Sequence, residues 1–173
     1  MNIRLRPFEA DELDILREIA RNPDYAPLTW VGFRPVEAVI REHGENGLLG
    51  DEVARLVVEV DGEQAGFMSY LRGRFGVRGD YYEIGIMLRP EFRGRGIGWR
   101  AQALLTAYVF DHFPVQRVQA GTQADNAAER KALLKAGFRE EGVIRAAEFR
   151  AGQWRDGVIF SRLRDDPYPE LDS

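Results

Sequence analysis

The stretch Leu88-Arg89-Pro90-Glu91-Phe92-Arg93-Gly94-Arg95-Gly96-Ile97-Gly98 restricts the fold of this chain more than any other. It follows the strand-like run Tyr81–Leu88 and enters Trp99-Arg100-Ala101-Gln102-Ala103-Leu104-Leu105 without a break. The order reads as strand, glycine turn, helix. The first N–H groups of a helix have no partner inside it, and the helix dipole is positive there, so such a turn offers an anion several donors. Gly94, Gly96 and Gly98 have no Cβ to hold a diphosphate away from the backbone, and they permit positive φ. Arg93 and Arg95 add charge-assisted donors. Glycine turns of this kind also occur without any ligand, so the turn alone leaves both readings open. A P-loop is excluded because no Gly-Lys-Ser/Thr closes the motif, and a dinucleotide fingerprint would need glycine where Trp99 stands.

The rest of the chain supplies elements around this unit. Ile3 and Leu5 alternate with polar residues in a first strand, Pro7 ends it, and Asp11 is placed to cap a helix carrying Leu13, Leu16, Ile19 and Ala20. Residues 21–33 read as a loop with Trp30 and Phe33, whose fates are core packing or an acceptor pocket. Pro35 suits the first turn of a second helix reaching about His43. Val53–Val60, the Asp61-Gly62 turn and Ala65–Leu71 form a hairpin. Residues 73–80 read as a glycine- and arginine-rich loop. The helix from Gly98 to about His112 has an apolar stripe at Ala101, Leu104, Leu105, Tyr108 and Val109. Val115–Gly121 then returns as a strand. A right-handed crossover makes it parallel to Tyr81–Leu88. Asp125-Asn126 opens a helix over Ala127–Ala136, Gly137 ends it, and Val143–Arg150 with Trp154–Leu163 closes the chain as a hairpin. The expected architecture is α/β (α+β): a mixed, mostly antiparallel twisted sheet, a central parallel βαβ unit and flanking helices. One domain spans 1–163, and 164–173 is a loosely held acidic tail.

Composition narrows the function. With 173 residues, 45% of them hydrophobic, the chain can bury one substantial core. A net charge of −4 argues against a nucleic-acid partner despite the local group Arg72, Arg74, Arg78, Arg89, Arg93 and Arg95. There is no cysteine, which excludes a thiol nucleophile and thiolate metal sites; His43 and His112 are too few for a histidine metal centre. No apolar run spans a bilayer and no signal core opens the chain, so the expectation is a cytoplasmic protein with no membrane partner and no metal.

The spacing Arg93-x-x-Gly96-x-Gly98 resembles the coenzyme A motif of the GCN-five-related N-acetyltransferase (GNAT) superfamily. The order of elements is similar over 1–163. Glu83-Ile84-Gly85-Ile86-Met87-Leu88-Arg89-Pro90, Asp125-Asn126 and Lys135-Ala136-Gly137-Phe138-Arg139-Glu140-Glu141-Gly142 resemble its RimJ/RimL-like branch. The resemblance implies an N-acetyltransferase that moves acetyl from acetyl-CoA to a primary amine by direct attack in a ternary complex. The acceptor would be a protein N-terminus or a small molecule, and a homodimer is compatible with it. A catalytically idle acyl-CoA-binding or interaction module of the same fold is the alternative. The same resemblance places the pantetheine arm along the backbone of Ile86, Met87 and Leu88, which also supplies a donor to the thioester oxygen. It places the diphosphate on Arg93, Gly94, Arg95, Gly96, Ile97, Gly98 and Trp99, and the amide arm on Asn126, for which helix capping is the competing role.

Two positions depart from the family pattern: Leu133 stands where many members have a proton-donating tyrosine, and Glu129 stands where RimJ/RimL-type members have a serine. The group that protonates the leaving thiolate is thus left open. For the base, period-two alternation puts Glu83 on the same side of its strand as Gly85 and Met87. Partial burial there would raise its pKa toward a useful value. A structural carboxylate paired with an arginine is the competing reading.

Overall fold

Alternating side chains decide which face of the sheet each helix covers. We describe a computed structural model of the chain, covering every residue except Thr29, Val31 and 171–173; expectations that fall on those positions lie outside the described residues. Strands β1 (Ile3–Arg6), β2 (Val53–Val60), β3 (Glu63–Phe75), β4 (Gly79–Leu88), β5 (Arg117–Gln123), β6 (Arg139–Arg150) and β7 (Gln153–Leu163) form one seven-stranded sheet in the order β1-β2-β3-β4-β5-β7-β6. Every pairing is antiparallel except β4 with β5. The expected mixed sheet with a parallel βαβ unit is therefore the observed architecture.

Helices α1 (Asp14–Arg21) and α2 (Glu37–Asn46) cover one face, and α3 (Ile97–His112) and α4 (Ala127–Lys135) cover the other. Leu56, Val58, Met68, Tyr82 and Ile84 meet Ile97, Ala101, Leu105, Val109 and Leu133 in the larger core. Val57 meets Phe8, Leu13, Ile15 and Leu16 in the smaller one, with Phe67 and Met87 packed against it. Since β2 has a core on both faces, its sequence is an almost continuous apolar run.

The differences from expectation have local causes. Residues 73–80 are not a loop, because the ladder runs on through Arg72↔Tyr82 and Arg74↔Asp80 to Phe75↔Gly79. A Cβ at Gly73 would lie 2.4 Å from the Tyr81 ring, so this glycine makes room for a cross-strand aromatic and marks no turn. Asp11 caps nothing; Glu9 and Glu12 form a capping box around a short 3₁₀ turn, Ala10–Glu12, and α1 starts after it. Pro35 lies just outside α2, which begins at Glu37 and ends at Gly47 with φ +68°. Tyr108, at the edge of the α3 stripe, is 38% exposed. Strand β6 begins four residues before the expected Val143, at Arg139, with register shifts between Glu140 and Gly142 and between Ile144 and Glu148.

Residues 164–170 lie against the body. Arg164 donates to the carbonyls of Phe110, Phe113 and Val115, and Tyr168 Oη donates to Ala103 O at 3.3 Å. The buried Arg162 guanidinium stacks over the Tyr168 ring at 4.7 Å. An acidic, proline-containing composition hid these anchors, which depend on where α3 ends.

Candidate active site

The parallel pair opens almost as soon as it forms. Strands β4 and β5 are paired only at Tyr82↔Val118 and Glu83↔Gln119. Meanwhile β4 stays on β3 as far as Leu88↔Gly66, and β5 stays on β7 as far as Gln123↔Gly157. Beyond Glu83 each strand thus keeps one ladder and turns its other edge to a widening gap. Both following helices start at this end, where the carboxyl ends of parallel strands form the crevice used for ligands in open sheets.

The glycine turn borders the gap. Gly94 has φ +72°, and Gly96, the N-cap of α3, has φ +76°, a conformation costly for any residue with a Cβ. Among the described residues no side chain caps α3, and its first turn has no acidic residue, so its leading N–H donors remain available to an anion. A Cβ at Gly96 would lie 2.8 Å from Arg100 Nη1 and 3.5 Å from Trp99 Nε1, so two further donors converge on this glycine. Arg100 also donates to Gly96 O at 3.1 Å and lies over the Trp99 ring at 4.4 Å. Gly98 is different: a Cβ there meets only Leu88 and Ile86 methyls at 3.9 and 4.0 Å.

The two flanking arginines are partly committed to the protein. Arg93 donates to Leu88 O at 3.0 Å and to Tyr25 O at 2.5 Å, tying the end of β4 to the loop after α1. Arg95 lies over the Phe92 ring at 5.3 Å. These contacts shape the turn, and the backbone of α3 remains its main source of donors.

On the other wall, Asn126 Oδ1 accepts from Glu129 N at 3.2 Å as the N-cap of α4. Its Nδ2 makes no hydrogen bond among the described residues, so one amide can cap the helix through oxygen and serve a ligand carbonyl through nitrogen. Arg150, in β6, holds the preceding residue, with Nη2 3.0 Å from each Asp125 carboxylate oxygen. Gln102, 1% exposed in α3, donates from Nε2 to Glu129 Oε1 at 3.0 Å. Burial raises the Glu129 carboxyl to about 7, only partly opposed by that hydrogen bond.

Glu83, the residue expected to act as base, is exposed and accepts from Gln119 Nε2 at 3.0 Å. The partial burial expected for it is absent. Nor does an arginine pair with it among the described residues. Its side chain lies on the α1/α2 face, opposite to Tyr82 and Ile84, as alternation required. Leu133 is fully buried in the larger core.

The structure thus places Ile86, Met87 and Leu88 on β4 beyond its pairing with β5, Gly94, Arg95, Gly96, Gly98 and Trp99 in the turn and first residues of α3, and Asn126 at the start of α4, whereas Ile97 is fully buried in the larger core and Arg93 turns back to Tyr25. Sequence reasoning missed Arg100, Gln102, Gln119 and Arg150. Arg100 was signalled by its position one helical turn after Gly96, and Gln102 by being polar on a stripe between Ala101 and Leu105. Gln119 and Arg150 reach their partners only through strand pairing. A concavity of about 600 Å³ at the opposite end of α3, bordered by Phe110, Phe113 and Arg164, touches none of these residues.

A model of the acetyltransferase (GNAT) domain family matches residues 2–139. The chain belongs to the GNAT acetyltransferase family. It is an acetyl-CoA-dependent N-acetyltransferase acting on an amine, in line with the resemblance noted above. Among its relatives is spermidine N(1)-acetyltransferase of Escherichia coli, 24% identical over 159 residues, 91% of this chain and 83% of the relative. The probable N-acetyltransferase YjcK of Bacillus subtilis is 32% identical over 83 residues, 48% of this chain and 46% of its own. Among solved structures, spermidine N-acetyltransferase from Vibrio cholerae, in complex with CoA and spermine, superposes with a TM-score of 0.78 at 18% identity, covering 95% of this chain and 96% of that one. RimJ of Mycobacterium smegmatis, in complex with CoA-disulfide, gives 0.76 at 22% identity over 99% of this chain and 84% of that one. In this N-acetyltransferase the described residues include no helix long and apolar enough to cross a membrane, and no three metal-ligating side chains that converge.

Proposed function

We propose that the enzyme acetylates a primary amine by direct attack in a ternary complex formed in the gap between β4 and β5. The observation that carries this is the parting of the two strands after Glu83↔Gln119, with an uncapped helix N-terminus at the same end. The residues fit acetyl-CoA: Gly94 and Gly96 with the first N–H groups of α3, Trp99 and Arg100 suit a diphosphate. The free edge of Ile86, Met87 and Leu88 suits an amide-bearing arm, and Asn126 Nδ2 suits its carbonyl. Bound there, acetyl-CoA supplies an activated acyl group. A backbone N–H of the Ile86–Leu88 edge stabilises charge on the thioester oxygen as the amine attacks.

The amine approaches from the α1/α2 face. There Glu83, Gly85 and Ser69 form the floor, and a cavity of about 190 Å³ lined by Leu16, Ile19, Trp30, Val36, Val39 and Arg55 lies two strands away. Trp30 thus borders space suited to an apolar part of the acceptor. Glu83, exposed and held by Gln119, takes the ammonium proton directly or through water. Amines are mostly protonated near pH 7, so this step limits the rate on the acidic side. The acceptor is either a small polyamine-like molecule or a protein N-terminus.

Calorimetry with acetyl-CoA, followed by thiol release across a panel of amines and N-terminal peptides, tests the reading. Binding with turnover on at least one amine is expected. Absence of binding at millimolar acetyl-CoA would remove it. Glu83→Gln should lower turnover about a hundredfold, the usual scale of a lost base, and leave acetyl-CoA affinity nearly unchanged. Turnover within a few-fold of wild type would assign the base elsewhere.

A further inference from the structure

The reaction needs a proton at its far end, where sulfur leaves with the electron pair of the broken carbon–sulfur bond. Leu133 is buried and has no proton to give. Glu129 has a different environment. It lies in the first turn of α4, three residues after Asn126, and its carboxyl meets Gln102 in the second turn of α3; both helices start at the end of the sheet where β4 and β5 part. Glu129 therefore lies on the α3/α4 side of the sheet, the side opposite to Glu83.

We propose that Glu129 is the proton donor to the departing sulfur and that Gln102 holds its carboxyl in place. This rests on the acyl-transfer reading above. The amine nitrogen bonds to the acyl carbon, and the carbon–sulfur bond breaks with its electrons going to sulfur. Glu129 gives its carboxyl proton to that sulfur, which leaves as thiol. The acceptor ammonium loses one proton to Glu83 or water before it attacks, and the second proton shed by nitrogen as the amide forms passes to solvent. Solvent then takes the proton from Glu83 and reprotonates Glu129 before the next turnover.

Three observations support this. First, among the described residues no charged side chain pairs with Glu129. Arg130 is engaged by Ala124 O and Glu140, Asp125 by Arg150, and the group facing it from α3 is the uncharged Gln102. Its carboxyl, raised to about 7 by burial, is thus substantially protonated at neutral pH. Second, Gln102 Oε1 is buried and has no hydrogen-bond partner among the described residues. A half-turn of the amide lets a protonated Glu129 donate to that oxygen, whereas the observed orientation serves the carboxylate. The pair can hold both protonation states, as a residue that loses and regains a proton requires. Third, glutamine at 129 would keep the hydrogen bond without the cost of burying a charge, so the carboxyl is a local liability of the kind found at working sites.

The test is Glu129→Gln, with Glu129→Asp as a second variant that keeps the acid but moves it. In the wild type, turnover should fall as pH rises through the carboxyl's pKa. In Glu129→Gln that high-pH limb should vanish, the low-pH limb should remain, and turnover should drop about a hundredfold with KM for acetyl-CoA within about threefold. Glu129→Asp should be intermediate. Independently of activity, ¹³C NMR of labelled carboxyls in the ligand-free protein should show one group titrating near neutrality that is missing from Glu129→Gln. Wild-type-like turnover with an intact high-pH limb would overturn the assignment, and so would titration of Glu129 in the ordinary carboxylate range. Loss of the low-pH limb would also overturn it, by making Glu129 the base. In each of those cases wild-type turnover leaves the acyl-transfer reading standing. A wild type that releases no thiol with any amine would remove the reading and the proposal together.

Discussion

At the scale of single residues, the three glycines of the turn do different work despite their even spacing. Gly96 has positive φ and donors of Trp99 and Arg100 close to where a Cβ would be, whereas the Cβ position of Gly98 faces two strand methyls at ordinary contact distance. Gly98→Ala should therefore leave acetyl-CoA affinity within a few-fold and raise stability by up to about 0.5–1 kcal/mol, the helical advantage of alanine over glycine. Gly96→Val should lose about 1–2 kcal/mol to left-handed strain and weaken acetyl-CoA at least tenfold by displacing Arg100. Calorimetry and thermal melts check both. Glu129 makes a residue-scale prediction about stability. Its folded pKa lies above the unfolded value, so the native state binds the extra proton between about 4.5 and about 7, and stability falls as pH rises through that window. Glu129→Gln should match wild type near pH 5 and exceed it at pH 8, with an upper bound of about 3 kcal/mol, in urea titrations at the two pH values.

At the scale of elements, α4 combines two functions at its first residue. Asn126 stops the helix from fraying through Oδ1, and the Nδ2 of the same amide makes no hydrogen bond among the described residues and is left for a ligand. Removing the side chain therefore costs both. Asn126→Ala should lower stability by about 0.5–2 kcal/mol as a lost N-cap. It should also weaken acetyl-CoA binding, whereas Asn126→Asp should keep the cap and lose only the donor. Comparing melting and calorimetry for the two variants separates the roles. The β3–β4 hairpin gives the contrary lesson, since its glycines and arginines imitate a loop. Arg72 and Arg74 instead clamp Asp80 across the ladder and hold its carboxyl at about 2, well below the usual carboxylate range. A strand that places charged pairs on an exposed end has the composition of a turn.

At the scale of the molecule, the closing hairpin braces the site from outside. Arg150 grips Asp125, Glu148 accepts from Gln123 Nε2 at 3.2 Å, and Ala124 N donates to Asp156 O at 2.9 Å. The turn between β5 and α4 is thus held by β6 and β7. Arg150→Ala should lower stability by about 1.5–3 kcal/mol, the scale of hydrogen bonds to a charged group. It should raise KM for acetyl-CoA by letting Asn126 move. In an Asn126→Ala background that second effect should vanish, because residues acting through one contact are not additive. A full additive loss would make Arg150 a purely structural residue.

The sequence by itself determined the order of elements, the parallel crossover and the glycine turn, because each rests on interactions within about a dozen residues: periodicity, φ preference and helix-end donors. It also determined that Glu83 shares a face with Gly85 and Met87, since alternation is a property of one strand. Only the tertiary structure decided that β4 and β5 separate after two paired positions, which depends on β3 and β7 holding them apart. It also decided that Arg93 turns back to Tyr25, that Glu83 stays in solvent beside Gln119, and that Glu129 is buried against Gln102. Burial and partnership are set by residues distant in the chain, and the pKa of a carboxyl follows from them.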